Sequence, residues 1–153
     1  MNTFTAMEIT SSGLAAQRVR LNTISGNLAN AQTTRTAEGG PYKRRDPVFQ
    51  SAEVKPEDFE GLIDDEGSER ERELAQNMQG VLVTDIVKDK APPRMEYNPD
   101  HPDADARGYV AMPNVNTVEE MVNMISASRS YEAGVTMMQT IKGMGRKAIT
   151  IGR

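Results

Sequence analysis

Met7, Leu14, Leu21 and Leu28 recur at a spacing of seven, and Phe4, Ile24 and Ala31 lie on or beside the same line. A repeat of seven is two helical turns and differs from the period-two alternation of a strand, so residues 4–31 are predicted to form one amphipathic helix. The positions between hold Thr10, Ser11, Ser12, Gly13, Asn22, Ser25, Gly26 and Asn27, all of modest or poor helix propensity. A helix of this kind is marginal alone in water and needs a partner to bury its stripe. The pattern stops in NAQTTRTAEGGP, where β-branched and polar residues lead into Gly39, Gly40 and Pro41.

Helical spacing returns after Pro113, with two capping boxes competing for the start, Thr117 with Glu120 and Asn116 with Glu119. Val118, Met121, Ile125, Ser128, Tyr131, Val135, Met138, Ile141 and Ala148 then follow in steps mainly of three and four. They predict a helix to about residue 149, roughly 48 Å long at 1.5 Å per residue. Met124, Ser126, Ala127, Ala133 and Met137 lie off or at the edge of that line. The apolar and small surface is therefore wider than one neighbouring helix covers. Such a surface suits either several neighbours or the core-facing side of one long intramolecular helix. The last acid is Glu132, and Lys142, Arg146, Lys147 and Arg153 follow it, which suits a solvated helix end at the negative pole of the dipole.

Between the helices, YKRRDPVFQSAEV, GVLVTDIV and GYVAMP read as short strands separated by Pro and Asp clusters. Residues 55–73 carry nine acids (Glu57, Asp58, Glu60, Asp64, Asp65, Glu66, Glu69, Glu71 and Glu73) against Lys55, Arg70 and Arg72, and read as a solvated loop. The expected fold class is α+β: long N- and C-terminal helices pairing as a coiled-coil-like layer, with a small β-rich middle module. The expected division is a terminal helix in 1–35, the β-rich module in 36–113 and the long helix in 114–153.

Composition narrows the class. With 37% hydrophobic and 5% aromatic residues and no Trp in 153 positions, the core is thin. A net charge of -4 without a basic cluster argues against a nucleic-acid partner. The lack of cysteine excludes disulfides, thiolate catalysis and Cys-ligated zinc. No run of about 18 apolar residues occurs, and MNTFTAMEITSSGLAAQ has neither a basic n-region nor an apolar h-region, so neither membrane insertion nor a cleaved signal peptide is expected.

Candidate chemistry reduces to turns. His101 sits with Asp100, Asp103 and Asp105 in NPDHPDAD, but from Asp103 the string places Arg107 where an EF-hand needs its third oxygen ligand, and Asn114 at its bidentate acid. Glu119 and Glu120 could be paired for glycan hydrolysis, yet adjacent helical residues point about 100° apart. EGGPYKRR lacks the order of a phosphate loop. No catalytic residue, cofactor or metal is expected.

LAAQRVRLNTISGNLANAQTTRT, GGPYKRR and the stretch from GYVAMPNVN through ASRSYEAGVTMM to the C-terminus resemble the flagellar basal-body rod and hook family. The Asn-Leu-Ala-Asn core, Asn27 to Asn30, is similar to that family's N-terminal signature, and MPNVN with ASRSYEA resembles its proximal-rod branch. Relative to that pattern, residues 55–73 look like an insertion, and Gly134 stands where Asn is common. The resemblance implies a structural subunit of the periplasm-crossing rod, exported through the flagellar type III apparatus. Its partners would be other copies, other rod subunits and neighbouring basal-body proteins. Such a subunit would assemble through Met7, Leu14, Leu21, Leu28, Asn27 and Asn30 on the first helix and Val118, Met121, Ile125, Ser128, Tyr131, Val135, Met138 and Ile141 on the second. Heterologous contacts repeated without closure give a helical tube. The alternative from another class is a folded helical-hairpin adaptor or export chaperone.

Overall fold

Helix α1 spans Thr3–Ala29, within two residues of the predicted bounds. Its poor helix formers turn their hydroxyls back onto the preceding turn, Thr10 Oγ1 donating to the Ala6 carbonyl at 2.7 Å and Thr23 Oγ1 to that of Val19 at 2.9 Å. Asn30 ends the helix: its backbone N–H and its Nδ2 both donate to the Gly26 carbonyl, at 3.1 and 2.9 Å, and Thr33 Oγ1 donates to its Oδ1. The chain then turns through Gly39 and Gly40 at φ of 86° and 74°, where a Cβ would be costly. The computed structural model describes residues 3–53 and 79–151, so the acidic stretch 55–73 lies outside the described residues.

Strand β1, Arg45–Glu53, pairs with β2, Gln79–Lys88, in a two-stranded sheet. A second pair joins β3, Arg94–Tyr97, antiparallel to β4, Tyr109–Met112, with Arg94 opposite Met112 and Tyr97 opposite Tyr109. RMEY of β3 alternates polar and apolar for only four residues and sits between two proline clusters, so only its partner GYVAMP was read as a strand. The connection is the Pro/Asp turn expected around His101. Asp105 Oδ1 accepts from the Arg107 and Tyr109 amides at 2.8 and 2.9 Å, and Gly108 adopts a φ of 81° under the Tyr97 ring. Among the described residues, no three His, Asp or Glu side chains gather where they could hold a cation.

Helix α2 spans Thr117–Ile151 and begins on the Asn116 cap. Asn116 Oδ1 accepts from the Val118 and Glu119 amides at 3.1 and 3.4 Å, and its carbonyl accepts from the Glu120 amide. Thr117 is the first helical residue, so the Thr117–Glu120 box does not form at this end.

Two compact units contain these elements, one made of Met1–Arg18, Phe49–Thr84 and Ser130–Arg153, the other of Val19–Val48 and Asp85–Arg129. In the first, α1 and α2 run antiparallel. Leu14 Cδ2 lies 2.8 Å from where a Gly134 Cβ would sit, and Thr3 Cγ2 lies 3.7 Å from that of Gly145. Ala16 and Ile141 are buried there, and the Val81 amide donates to Ser12 Oγ at 3.1 Å, tying the start of β2 to α1. The second unit buries Ile24, Val110 and Ala127 together with two polar side chains, Asn27 and Glu120.

Candidate assembly interface

Asn27 and Glu120, each 1% exposed, meet inside the second unit. A buried amide or carboxylate is tolerated only when its hydrogen bonds are made. Asn27 Nδ2 donates to the Arg45 carbonyl at 2.8 Å and to Glu120 Oε2 at 3.0 Å, while its Oδ1 accepts from the Tyr42 hydroxyl at 3.0 Å and the Arg45 amide at 2.9 Å. The other Glu120 oxygen accepts from Arg44 Nε at 2.8 Å, and Arg44 reaches Asp46 at 3.1 Å. Burial works against the Arg44 cation, but the hydrogen bonds and charges of Glu120 and Asp46 outweigh it and hold the guanidinium above its ordinary value. The family resemblance singled out Asn27 through its signature, whereas Glu120 was read as a capping or acid-pair residue and Tyr42 and Arg44 as part of the predicted strand YKRRDPVFQSAEV, which begins only at Arg45.

The long stripe read along α2 divides into two faces. Glu120, Ala127 and Ile141 are buried and Gly134, the fourth member of their spacing of seven, is half-buried with Leu14 against it. Ser128, Tyr131, Val135 and Met138 from the predicted set are half-buried along the same side, as is Met124, which the sequence placed at the edge. Val118, Met121 and Ile125 face outward, at 67%, 53% and 55% exposure, and Val122 joins them at 61%. On α1 the predicted Met7, Leu14, Leu21, Leu28 and Asn30 are half-buried, and the fully buried positions are Ala16, Ile24 and Asn27. Of these, Ile24 was read on or beside the stripe and Asn27 through the family signature, while Ala16, small and off the leucine line, was not singled out.

A groove of about 330 Å³ opens in the first unit between Gly13 and Leu14 of α1 and Ala133, Gly134 and Met137 of α2. The small residues make it, and the buried Gln17 Oε1 beside it has no hydrogen-bond partner among the described residues. The molecule thus presents an apolar ridge on one unit and an apolar groove on the other. No described helix is long and apolar enough to cross a membrane.

The family described as flagellar basal body rod protein matches residues 7–35, which hold the whole Asn-Leu-Ala-Asn turn, and the C-terminal family of flagellar basal body rod FlgEFG proteins matches residues 106–151, which hold β4 and α2. The flagellar basal-body rod protein FlgC of Borreliella burgdorferi is 44% identical over 156 aligned positions, covering 99% of this chain and 98% of its own. The FlgC proteins of Bacillus subtilis and Aquifex aeolicus are 41% and 36% identical, covering 100% and 93% of this chain and 100% and 91% of their own. Matched over nearly its full length by these relatives, and over parts of both terminal helices by the two family models, the chain belongs to the FlgC family of flagellar basal-body rod proteins.

Proposed function

We propose that this chain is a structural subunit of the basal-body rod that joins its neighbours, further copies and other rod subunits, through the outward ridge of α2. The observation that carries this reading is Val118, Met121, Val122 and Ile125, four bulky apolar side chains more than half exposed within two turns of a helix whose other side is already packed. The apolar groove between Gly13 and Leu14 of α1 and Gly134 and Met137 of α2 offers a second surface. The remaining predicted interface positions, from Met7 to Leu28 on α1 and from Ser128 to Ile141 on α2, form the packed backing that presents these surfaces. Assembly of this kind needs no catalysis, and the chain is expected to act without enzymatic turnover. It would reach the periplasm-spanning rod through the flagellar type III export apparatus, since helices of marginal intrinsic stability unfold easily for threading and order as neighbours cover them.

Ile125→Asp tests this. Because Ile125 is 55% exposed, the substitution should leave the melting temperature of the purified chain within about 2 °C of wild type. In cells the exported amount should stay normal while rods fail to form and motility is lost, because the charge would be buried unpaired at each subunit contact. Gln139→Asp, at an exposed polar site, should remain motile. Motile Ile125→Asp cells with complete rods would refute the ridge as an assembly surface.

A further inference from the structure

Three chain segments converge on the buried polar cluster of the second unit: the end of α1 at Asn27, the entry to β1 at Tyr42, Arg44 and Arg45, and the first turn of α2 at Glu120. Every hydrogen-bonding position of the Asn27 amide is filled, and the two Glu120 oxygens are divided between Asn27 and Arg44. The bonds depend on one another. The Tyr42 hydroxyl and the Arg45 amide fix the Asn27 oxygen, which turns its NH₂ group towards Glu120, and Glu120 in turn leaves its second oxygen for Arg44.

No neighbouring residue of α1 can take the place of Asn27. A shift of one residue rotates it by about 100° away from α2. A slip of one turn presents Ile24 or Ala31 to the carboxylate in one direction or the other, or Thr23, whose hydroxyl already donates to Val19. Asn30 has its NH₂ on the Gly26 carbonyl and its oxygen occupied by Thr33. The apolar residues of the seam discriminate little between settings, because Ala127 and Gly134 are small. A slipped pairing therefore strands a buried carboxylate, and the native one does not.

We propose that Asn27, Glu120 and Arg44 form a register latch, which sets the alignment of the two terminal helices and ties it to the start of β1, so that helix pairing and strand entry order together. A lone buried polar residue that specifies register in a helix pair is a well-attested use of such groups. Here the latch also reaches a third element. It concerns the folding of the chain itself and stands whether or not the α2 ridge is an assembly surface.

Amide hydrogen exchange on the full chain tests the coupling. The Arg45 amide bonds to Asn27 and not to Glu120, so its protection reports on Glu120 only through the latch. In Glu120→Leu the Arg45 amide should exchange about tenfold faster or more, while the Val110 amide in β4 keeps its protection. Glu119→Leu, at the exposed neighbouring site, should change neither. Glu120→Gln, which keeps the shape and one acceptor, should fold as wild type and accelerate Arg45 exchange by a smaller factor, and it decides the matter if Glu120→Leu does not fold. Unchanged Arg45 exchange in Glu120→Gln and Glu120→Leu would overturn the proposal. So would an Arg45 amide already unprotected in the wild type, or an equal loss at Arg45 and Val110.

Discussion

The Tyr42 hydroxyl donates to Asn27 Oδ1 from a half-buried position, and burial holds the phenol above its ordinary value, against the lowering charge of Arg45 and with Glu120 adding to it. A raised pKa means that the folded chain favours the neutral phenol. The stabilisation is fully present below the unfolded value of about 10 and is lost as pH rises through the folded one. Melting temperatures followed from about pH 8 to pH 11 should therefore fall more steeply for wild type than for Tyr42→Phe. At the lower pH the variant should be about 1 kcal/mol less stable, since Asn27 Oδ1 keeps only the Arg45 amide. Parallel pH curves would show that the phenol is not linked to folding. None of this was legible in the sequence beyond Asn27 itself, because Asn27 and Glu120 are 93 residues apart and a pairing made only by tertiary approach leaves no periodic trace. Glu120 stands three residues after Thr117 and so carries a helix-start signature that its actual role does not use.

At the scale of elements, the two long helices were plain from their spacing, with the first stopping in the polar, β-branched run into Gly39 and Gly40 and the second starting at one of two competing boxes, on Asn116 or Thr117. The division of the α2 stripe was not. Residues at 118, 121 and 125 and residues at 128, 131, 135 and 138 continue one run of steps of three and four, but the run drifts around the helix, and burial changes sides along it. Only the positions of the opposing side chains determine where that happens. The competition between two caps is settled by geometry: the amides of Val118 and Glu119 point to Asn116 Oδ1. Asn116→Ala should accordingly lower stability by about 1 kcal/mol in thermal or urea denaturation, and Thr117→Ala by no more than about 0.5 kcal/mol. Equal losses would return the cap to Thr117.

For the molecule as a whole, the low apolar and aromatic content anticipated a thin core, and its distribution is uneven between the units. The first unit's buried apolar side chains among the described residues are Ala16 and Ile141, whereas the second has Ile24, Val110 and Ala127 with the hydrogen-bonded Asn27 and Glu120. Local opening is easiest where buried contacts are few. Hydrogen exchange on the purified chain should show helical amides of 130–151 exchanging faster than those of 120–129, by about tenfold or more. Uniform protection along α2 would mean that the long helix opens as one body.

The four residues at a spacing of seven on α2, Glu120, Ala127, Gly134 and Ile141, also limit which helices can pair wrongly. Two copies of α2 laid antiparallel about the midpoint of these four residues would set Glu120 against Ile141 and Ala127 against Gly134. A carboxylate would then face an aliphatic side chain, and two small residues would leave an unfilled gap. A parallel pair would oppose glutamate to glutamate and glycine to glycine. Among the described residues it is α1 that brings an amide to Glu120 and a leucine to Gly134. Chains crowded together while unfolded are thus biased against pairing α2 with α2, and each α2 remains available until it meets an α1.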